Sequence, residues 1–249
     1  SKFSYYKFDV DVNPCGIIYN PLSVANVLRL IVEGKQFEKS DLRQVGGKWV
    51  SLYHHGAFSS TDPDECLRRI NDRLTKATGE LRTLDLLVIT WGTAWVYRYT
   101  RENIVVSNCH KIPSQEFERS RLSVEDIVKE YLVLIGRLRE INPGLRILFT
   151  VSPIRHWKDG AHGNQLSKAT LLLAIDRLRE ELQHVYYFPA YEIVLDELRD
   201  YRFYADDMLH MSGFTVDYIW ERFLYSFISP EVLGLMNQIG RVNKGVAHR

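Results

Sequence analysis

Leu84-Asp85-Leu86-Leu87-Val88-Ile89-Thr90 is a near-continuous apolar run of strand length, ending at Trp91-Gly92-Thr93. Leu145-Arg146-Ile147-Leu148-Phe149-Thr150-Val151 is a second such run and stops at Ser152-Pro153. Runs this short and this apolar read as strands buried on both faces. Amphipathic stretches with helix start and stop signals surround them. Pro21 to Val32 follows the N-cap Asn20; Asp62-Pro63-Asp64-Glu65 opens a helix to about Thr78, with Glu65 as its capping-box partner. Ser123 caps a long helix that ends at Asn142-Pro143-Gly144, and Asn164 to Gln183 reads as another. Val185 to Phe188 is a short strand, and a last amphipathic helix follows His210. Phe8-Asp9-Val10-Asp11-Val12 alternates like a strand and stops at Asn13-Pro14. Val96 to Val106 reads as a hairpin, with Tyr97 and Tyr99 against Ile104 and Val106. Phe37 to Ser60 is loop-rich, with a turn at Gly46-Gly47. Strands that alternate with helices predict an α/β fold with a mostly parallel sheet. One domain over 1–229 is expected, with 230–249 as an appended helix or arm.

The 249 residues, 45% of them hydrophobic, suffice for a full core. The net charge of +1, with acids and bases interleaved and no Lys/Arg block, leaves no electrostatic footprint for nucleic acid or an acidic membrane. Cys15, Cys66 and Cys109 are far apart and form no Cys-x-x-Cys, so neither a zinc ribbon nor a disulfide framework is indicated. The longest apolar run, Leu84 to Val96, is too short and too broken for a membrane helix. No signal peptide is visible, although the chain opens at Ser1 rather than Met; cytoplasmic is the default expectation.

The chemistry-bearing stretch is Tyr204-Ala205-Asp206-Asp207-Met208-Leu209-His210. An Asp three residues ahead of a His on one loop lets the carboxylate accept from one imidazole nitrogen while the other faces a substrate. That is the orienter-and-base half of a Ser-His-Asp hydrolase. In a parallel sheet, ligands bind beyond the carboxyl ends of the strands, where Gly92-Thr93 and Ser152-Pro153 fall.

Four blocks carry a family resemblance: Asn13-Pro14-Cys15-Gly16-Ile17-Ile18-Tyr19-Asn20-Pro21, Trp91-Gly92-Thr93-Ala94-Trp95, Ser152 to Gly160, and Asp206 to His210. Together they resemble GSCFA-domain proteins, a family grouped with the SGNH (GDSL-type) hydrolases, over nearly the whole chain to about Ser229. The resemblance implies a flavodoxin-like three-layer αβα sandwich and a serine ester hydrolase site that needs no cofactor. It makes His210 the general base, Asp207 its orienter and Gly16 a backbone donor to the oxyanion. Ala94 stands where the family's oxyanion-hole Asn belongs. Thr93 then substitutes as donor, or the hole lacks one worth ~3–4 kcal/mol of transition-state stabilisation. The Gly-Ser-Cys-Phe-Ala motif that supplies the nucleophile does not occur here. Either it precedes Ser1 together with the first strand, or the chain is a shortened relative. A sheet without that strand has unmet backbone groups, each costing ~1–3 kcal/mol. The chain alone is expected to be inactive.

Other residues have plainer readings beside the functional ones. Arg155, His156 and Lys158 line a pocket or bind a carboxylate or phosphate. Trp157 stacks on a sugar ring or is a core tryptophan. His54-His55, His156 and His162 match no zinc spacing, so no metal is expected. Ser152 lacks a nucleophile elbow and Ser23 reads as a helix-start residue. The expected partner is a small-molecule or carbohydrate ester, with neither nucleic acid nor membrane; the rival reading is a non-catalytic ligand-binding domain.

Overall fold

A computed structural model of the chain describes residues 2–247. In chain order the elements are α1 (Lys2–Tyr5), α2 (Pro21–Glu33), β1 (Arg43–Val45), β2 (Lys48–Val50), α3 (Pro63–Glu80), β3 (Leu86–Trp91), β4 (Trp95–Tyr99) and β5 (Ile104–Val106). There follow β6 (Phe117–Arg121), α4 (Val124–Ile141), β7 (Arg146–Val151), α5 (Gly160–Glu181), β8 (Val185–Phe188), α6 (Ala190–Glu192), α7 (Gly213–Phe227) and α8 (Pro230–Ala247). The chain forms two compact units, Asn13–Tyr191 and a second made of Ser1–Val12 with Glu192–Arg249.

The Asn13–Tyr191 unit is mixed α/β. Its parallel sheet has the order β3-β7-β8, with Leu86 opposite Arg146 through Trp91 opposite Val151, and Ile147 opposite Val185 through Thr150 opposite Phe188. β7 is central and the most buried, as its apolar run requires. On β3, however, Val88 is 45% exposed and Thr90 lies open, so this strand is not covered on both faces among the described residues. A separate antiparallel sheet has the order β5-β4-β6, and its Tyr97–Val106 and Tyr99–Ile104 pairs are those the hairpin pattern predicts. β1 and β2 form a two-residue hairpin at Gly46-Gly47, both at positive φ (55° and 76°). A turn of that geometry calls for glycine.

The helices start where their capping residues place them. The Asn20 side chain accepts from the Ser23 N–H at 2.8 Å, and Gly34 closes α2 in a left-handed conformation. Ser123 and Asp126 form a reciprocal capping box on α4. Asp62 caps α3, but Glu65 is not its box partner: Glu65 binds Arg68 and Arg69 instead, since two exposed guanidinium groups one turn away outcompete a backbone N–H. α5 begins at Gly160, one turn before the expected Asn164. Trp91, Tyr131 and Phe149 centre the core. The Tyr131 hydroxyl accepts from Trp91 Nε1 at 3.2 Å and donates to the Pro21 carbonyl at 2.9 Å, tying β3, α4 and α2 together.

In the second unit, the Phe8–Val12 segment is not a strand. The Phe8 ring packs edge-on against Phe3, itself packed on Trp220 and Phe223 of α7, and among the described residues no strand of this unit offers the segment a ladder. Alternation in sequence makes a strand only where a neighbour can complete its hydrogen bonds. Among the described residues, no helix is long and apolar enough to cross a membrane.

Replacing Tyr131 with Phe removes the hydroxyl's bond to the Pro21 carbonyl and leaves the Trp91 indole N–H without its Tyr131 partner in a dry core, at a cost of about 1–3 kcal/mol. Denaturant unfolding should show a lower midpoint at unchanged slope, whereas Tyr225→Phe on the exposed face of α7 should shift it by less than about 0.5 kcal/mol.

Candidate functional site

The loop after Phe203 is closed by a bridge between Tyr204 and Met211 and by the Ala205 N–H to the His210 carbonyl at 2.7 Å. Below it, Ser212 caps α7, its N–H reaches the Phe203 carbonyl, and Thr215 Oγ1 donates to the same carbonyl at 2.6 Å. Within this frame one Asp207 oxygen accepts from the Leu209 and His210 N–H groups, each at 2.9 Å, and the turn carries Met208 at φ 58°. The other Asp207 oxygen meets His210 Nδ1 at 2.5 Å. The carboxylate thus fixes its own turn and the imidazole together. His210 is 64% exposed and its Nε2 has no hydrogen bond among the described residues, so that nitrogen is open to solvent. The His210 side chain, then the two backbone N–H groups, pull the Asp207 pKa down to about 2, leaving it anionic at neutral pH.

The other sequence-predicted residues lie in the Asn13–Tyr191 unit, at the loops leaving β3 and β7 and in the Asn13–Pro21 segment. Gly16 sits at φ +86°, and a Cβ there would stand 2.2 Å from His55 Cβ, so the position demands glycine. Its N–H donates to the Asn13 carbonyl at 2.8 Å. The Gly92 and Thr93 N–H groups both donate to the Tyr19 carbonyl, at 2.7 and 3.1 Å. Ala94 N–H donates to Ser167 Oγ, and the Thr93 hydroxyl is shared between Ser167 Oγ and the Trp95 N–H. Every backbone donor named for the oxyanion is therefore engaged within the chain. The Arg155 guanidinium lies over the Trp157 ring at 5.1 Å, and Trp157 is 56% exposed rather than a core residue. His156 lies against Gly92; burial, then the nearby Lys168 charge, draws its pKa below the ordinary value, against the opposing pull of Asp159 and the Gly92 backbone.

Three buried polar residues on α5 organise these loops: Asn164, Ser167 and Lys168. The Asn164 side chain accepts from the His156 N–H at 3.1 Å. The Lys168 Nζ donates to the Gly92 and Ser152 carbonyls, each at 2.6 Å, in full burial and with no carboxylate partner among the described residues. Burial pushes its pKa down to about 7. The signal was present in the spacing: positions 164, 167 and 168 continue the buried stripe of Leu171, Ala174, Ile175 and Leu178 toward the helix start. Of the serines weighed as nucleophiles, Ser23 is fully buried with its hydroxyl on the Val106 carbonyl, and Ser152 Oγ accepts from the Ile154 N–H. Among the described residues, no group of three or more His, Cys, Asp or Glu side chains is placed to hold a metal ion.

Residues 1–223 match the family described as GSCFA family. The chain belongs to the GSCFA family. No curated protein and no solved structure matches it. In this GSCFA chain the match takes in both the Asp207–His210 pair and the loops held by α5.

The Asp207 carboxyl should titrate near pH 2 in a carbon-detected NMR experiment and move up toward the ordinary carboxylate value in His210→Ala. Because the folded-state pKa is depressed, the stabilising contribution is in place above about pH 4 and is lost as the pH falls through about 2. An unmoved midpoint in His210→Ala would assign the shift to the two backbone N–H groups instead.

Proposed function

We propose that this GSCFA domain is an SGNH-type serine ester hydrolase on a flavodoxin-like framework, acting on an acyl group carried by a carbohydrate or small metabolite. The observation that carries the reading is the 2.5 Å contact between Asp207 and His210 Nδ1, with Nε2 left open. An anionic Asp207 holds the proton on Nδ1, so Nε2 presents its lone pair as a base. Nε2 takes the proton of a serine hydroxyl as its oxygen attacks the ester carbonyl, and the tetrahedral intermediate collapses as His210 returns that proton to the leaving alkoxide. Water, or a sugar hydroxyl, then takes the acyl group by the same steps in reverse. The serine is that of the family motif, which is not among these 249 residues. Gly16 and Thr93 are the assigned oxyanion donors, a role that requires their present bonds to Asn13 and Tyr19 to be shared or released. Arg155, His156 and Trp157 are assigned to the substrate, and the exposed Trp157 face suits a sugar ring.

The engaged state of those N–H groups favours a second reading, a non-catalytic domain that binds acylated ligands without cleaving them. The two are separated by assaying short-chain aryl esters with the 249-residue chain and with a chain extended through the upstream reading frame. The extended chain should turn over esters, and His210→Ala should remove that activity by several orders of magnitude. Asp207→Asn should cost less than loss of the base but still strongly, through the wrong tautomer. Turnover that survives His210→Ala defeats the hydrolase reading. Binding of acylated sugars by an extended chain that never cleaves them establishes the second.

A further inference from the structure

Lys168 is a fully buried ammonium whose hydrogen-bonding partners are two main-chain carbonyls from the residues that directly follow β3 and β7. Replacement of a buried ion by a well-packed apolar residue is often neutral or stabilising, so burial of this charge is not explained by the core it sits in. Its geometry points elsewhere. In a trans peptide the carbonyl oxygen and the following N–H point in opposite directions. With the Gly92 carbonyl held by Nζ at 2.6 Å, the Thr93 N–H is turned away from α5, onto the Tyr19 carbonyl at 3.1 Å. Tyr19 belongs to the Asn13–Pro21 segment that carries Gly16. The same ammonium holds the Ser152 carbonyl at the head of the Ser152–Gly160 loop. One turn before it on α5, Asn164 holds the backbone of that loop at His156.

We propose that Lys168 is a positioning residue: its carbonyl-ligated ammonium fixes the 92–93 peptide plane and so sets the Asn13–Pro21, Gly92–Trp95 and Ser152–Gly160 segments against one another. It touches no substrate and acts through main-chain orientation. For catalysis this rests on the ester-hydrolase reading, since the peptide it orients carries a proposed oxyanion donor; the clamp itself does not depend on that reading. The charged and titratable groups around it are His156, whose pKa the Lys168 charge lowers, and Tyr191, whose ring lies 5.7 Å from Nζ. Burial, which lowers the affinity of Nζ for its proton, makes the clamp weaken as the pH rises through neutrality.

The test compares wild type with Lys168→Met, similar in length and uncharged. Amide exchange at Gly92 and Thr93 should accelerate at least tenfold beyond any change in the amides of β8 and α4. The His156 imidazole, followed by NMR, should protonate at a higher pH once the neighbouring charge is gone. Uniform acceleration throughout the unit with an unmoved His156 titration would reduce Lys168 to a packing residue and overturn the proposal. If Lys168→Met does not fold, wild type decides: at pH 6 the Lys168 Nζ–H protons should exchange slowly enough to give a nitrogen-correlated signal. Exchange as fast as that of surface lysines overturns the clamp. Where the extended chain cleaves esters, Lys168→Met should lower kcat by roughly 100-fold with little change in KM, the scale of a small misplacement at a reacting centre. An unchanged kcat removes the catalytic consequence. A protein that cleaves no ester removes the hydrolase reading and leaves the clamp to the exchange and titration results.

Discussion

Carbonyl groups at the carboxyl ends of parallel strands run out of ladder partners just where a fold of this kind places its loops. In the Asn13–Tyr191 unit that constraint is met from one direction, by the polar start of α5. The helix buries Leu171, Ala174, Ile175 and Leu178 further along and turns the same stripe polar at Asn164, Ser167 and Lys168. A water molecule in that position would satisfy a carbonyl without fixing it. A side chain anchored on a 22-residue helix fixes it. The loops after β3 and β7 are therefore set by the position of α5 as much as by their own sequences, and the Gly92–Trp95 N–H groups are all engaged, that of Ala94 by Ser167 of α5 and the others by Tyr19 and Thr93.

What was legible in the sequence follows from how local its cause is. The β3 and β7 runs, the Asn20 and Ser123 caps, the Tyr97–Val106 register and the Asp207–His210 pair each depend on residues a few positions apart, and each is found. Phe8–Val12 has an equally clear period of two, but strand formation needs a partner that the pattern does not name. β6 escaped for the opposite reason: Phe117-Glu118-Arg119-Ser120-Arg121 is too polar to look like a strand and is held by pairing along the whole of β4. Arg119 is kept there by long-range contacts, its guanidinium 4.1 Å over the Trp95 ring and paired with Asp159. Lys168 was hidden because a lysine on a helix is ordinarily solvated, and only its register against the apolar stripe says otherwise.

Three histidines show how environment separates residues of one type. His54 is buried between Phe37 and Phe58, and desolvation drives its pKa to about 3, so it stays neutral at all ordinary pH with Nδ1 on Ser51. His156 is pulled down by partial burial and by a buried cation. His210 is solvent-exposed and hydrogen-bonded to an ionised carboxylate, the one arrangement of the three suited to accepting and releasing a proton. Sequence sets His210 apart by the Asp three residues before it; burial and partner are what separate His54 from His156.

The two parts of the candidate chemistry are built by different means, and this bears on how each tolerates change. The Asp207–His210 pair is assembled within four residues, on a turn whose carboxylate supplies its own backbone bonds, so its geometry survives substitutions elsewhere as long as the Phe203 carbonyl still anchors Ser212 and Thr215. The proposed oxyanion donors are held at long range: Gly16 by the absence of a Cβ against His55, and Thr93 by the Tyr19 carbonyl on one side and Ser167 on the other. A donor committed to a carbonyl can serve an oxyanion only if the anion competes better than the carbonyl does. A full negative charge meets that condition, because charge-assisted hydrogen bonds are roughly twice as strong as neutral ones. A neutral ester oxygen does not. If these N–H groups act in catalysis, they discriminate between the two by the exchange of partners itself, holding the Asn13 and Tyr19 carbonyls in the ground state and turning to the substrate oxygen only as charge develops on it.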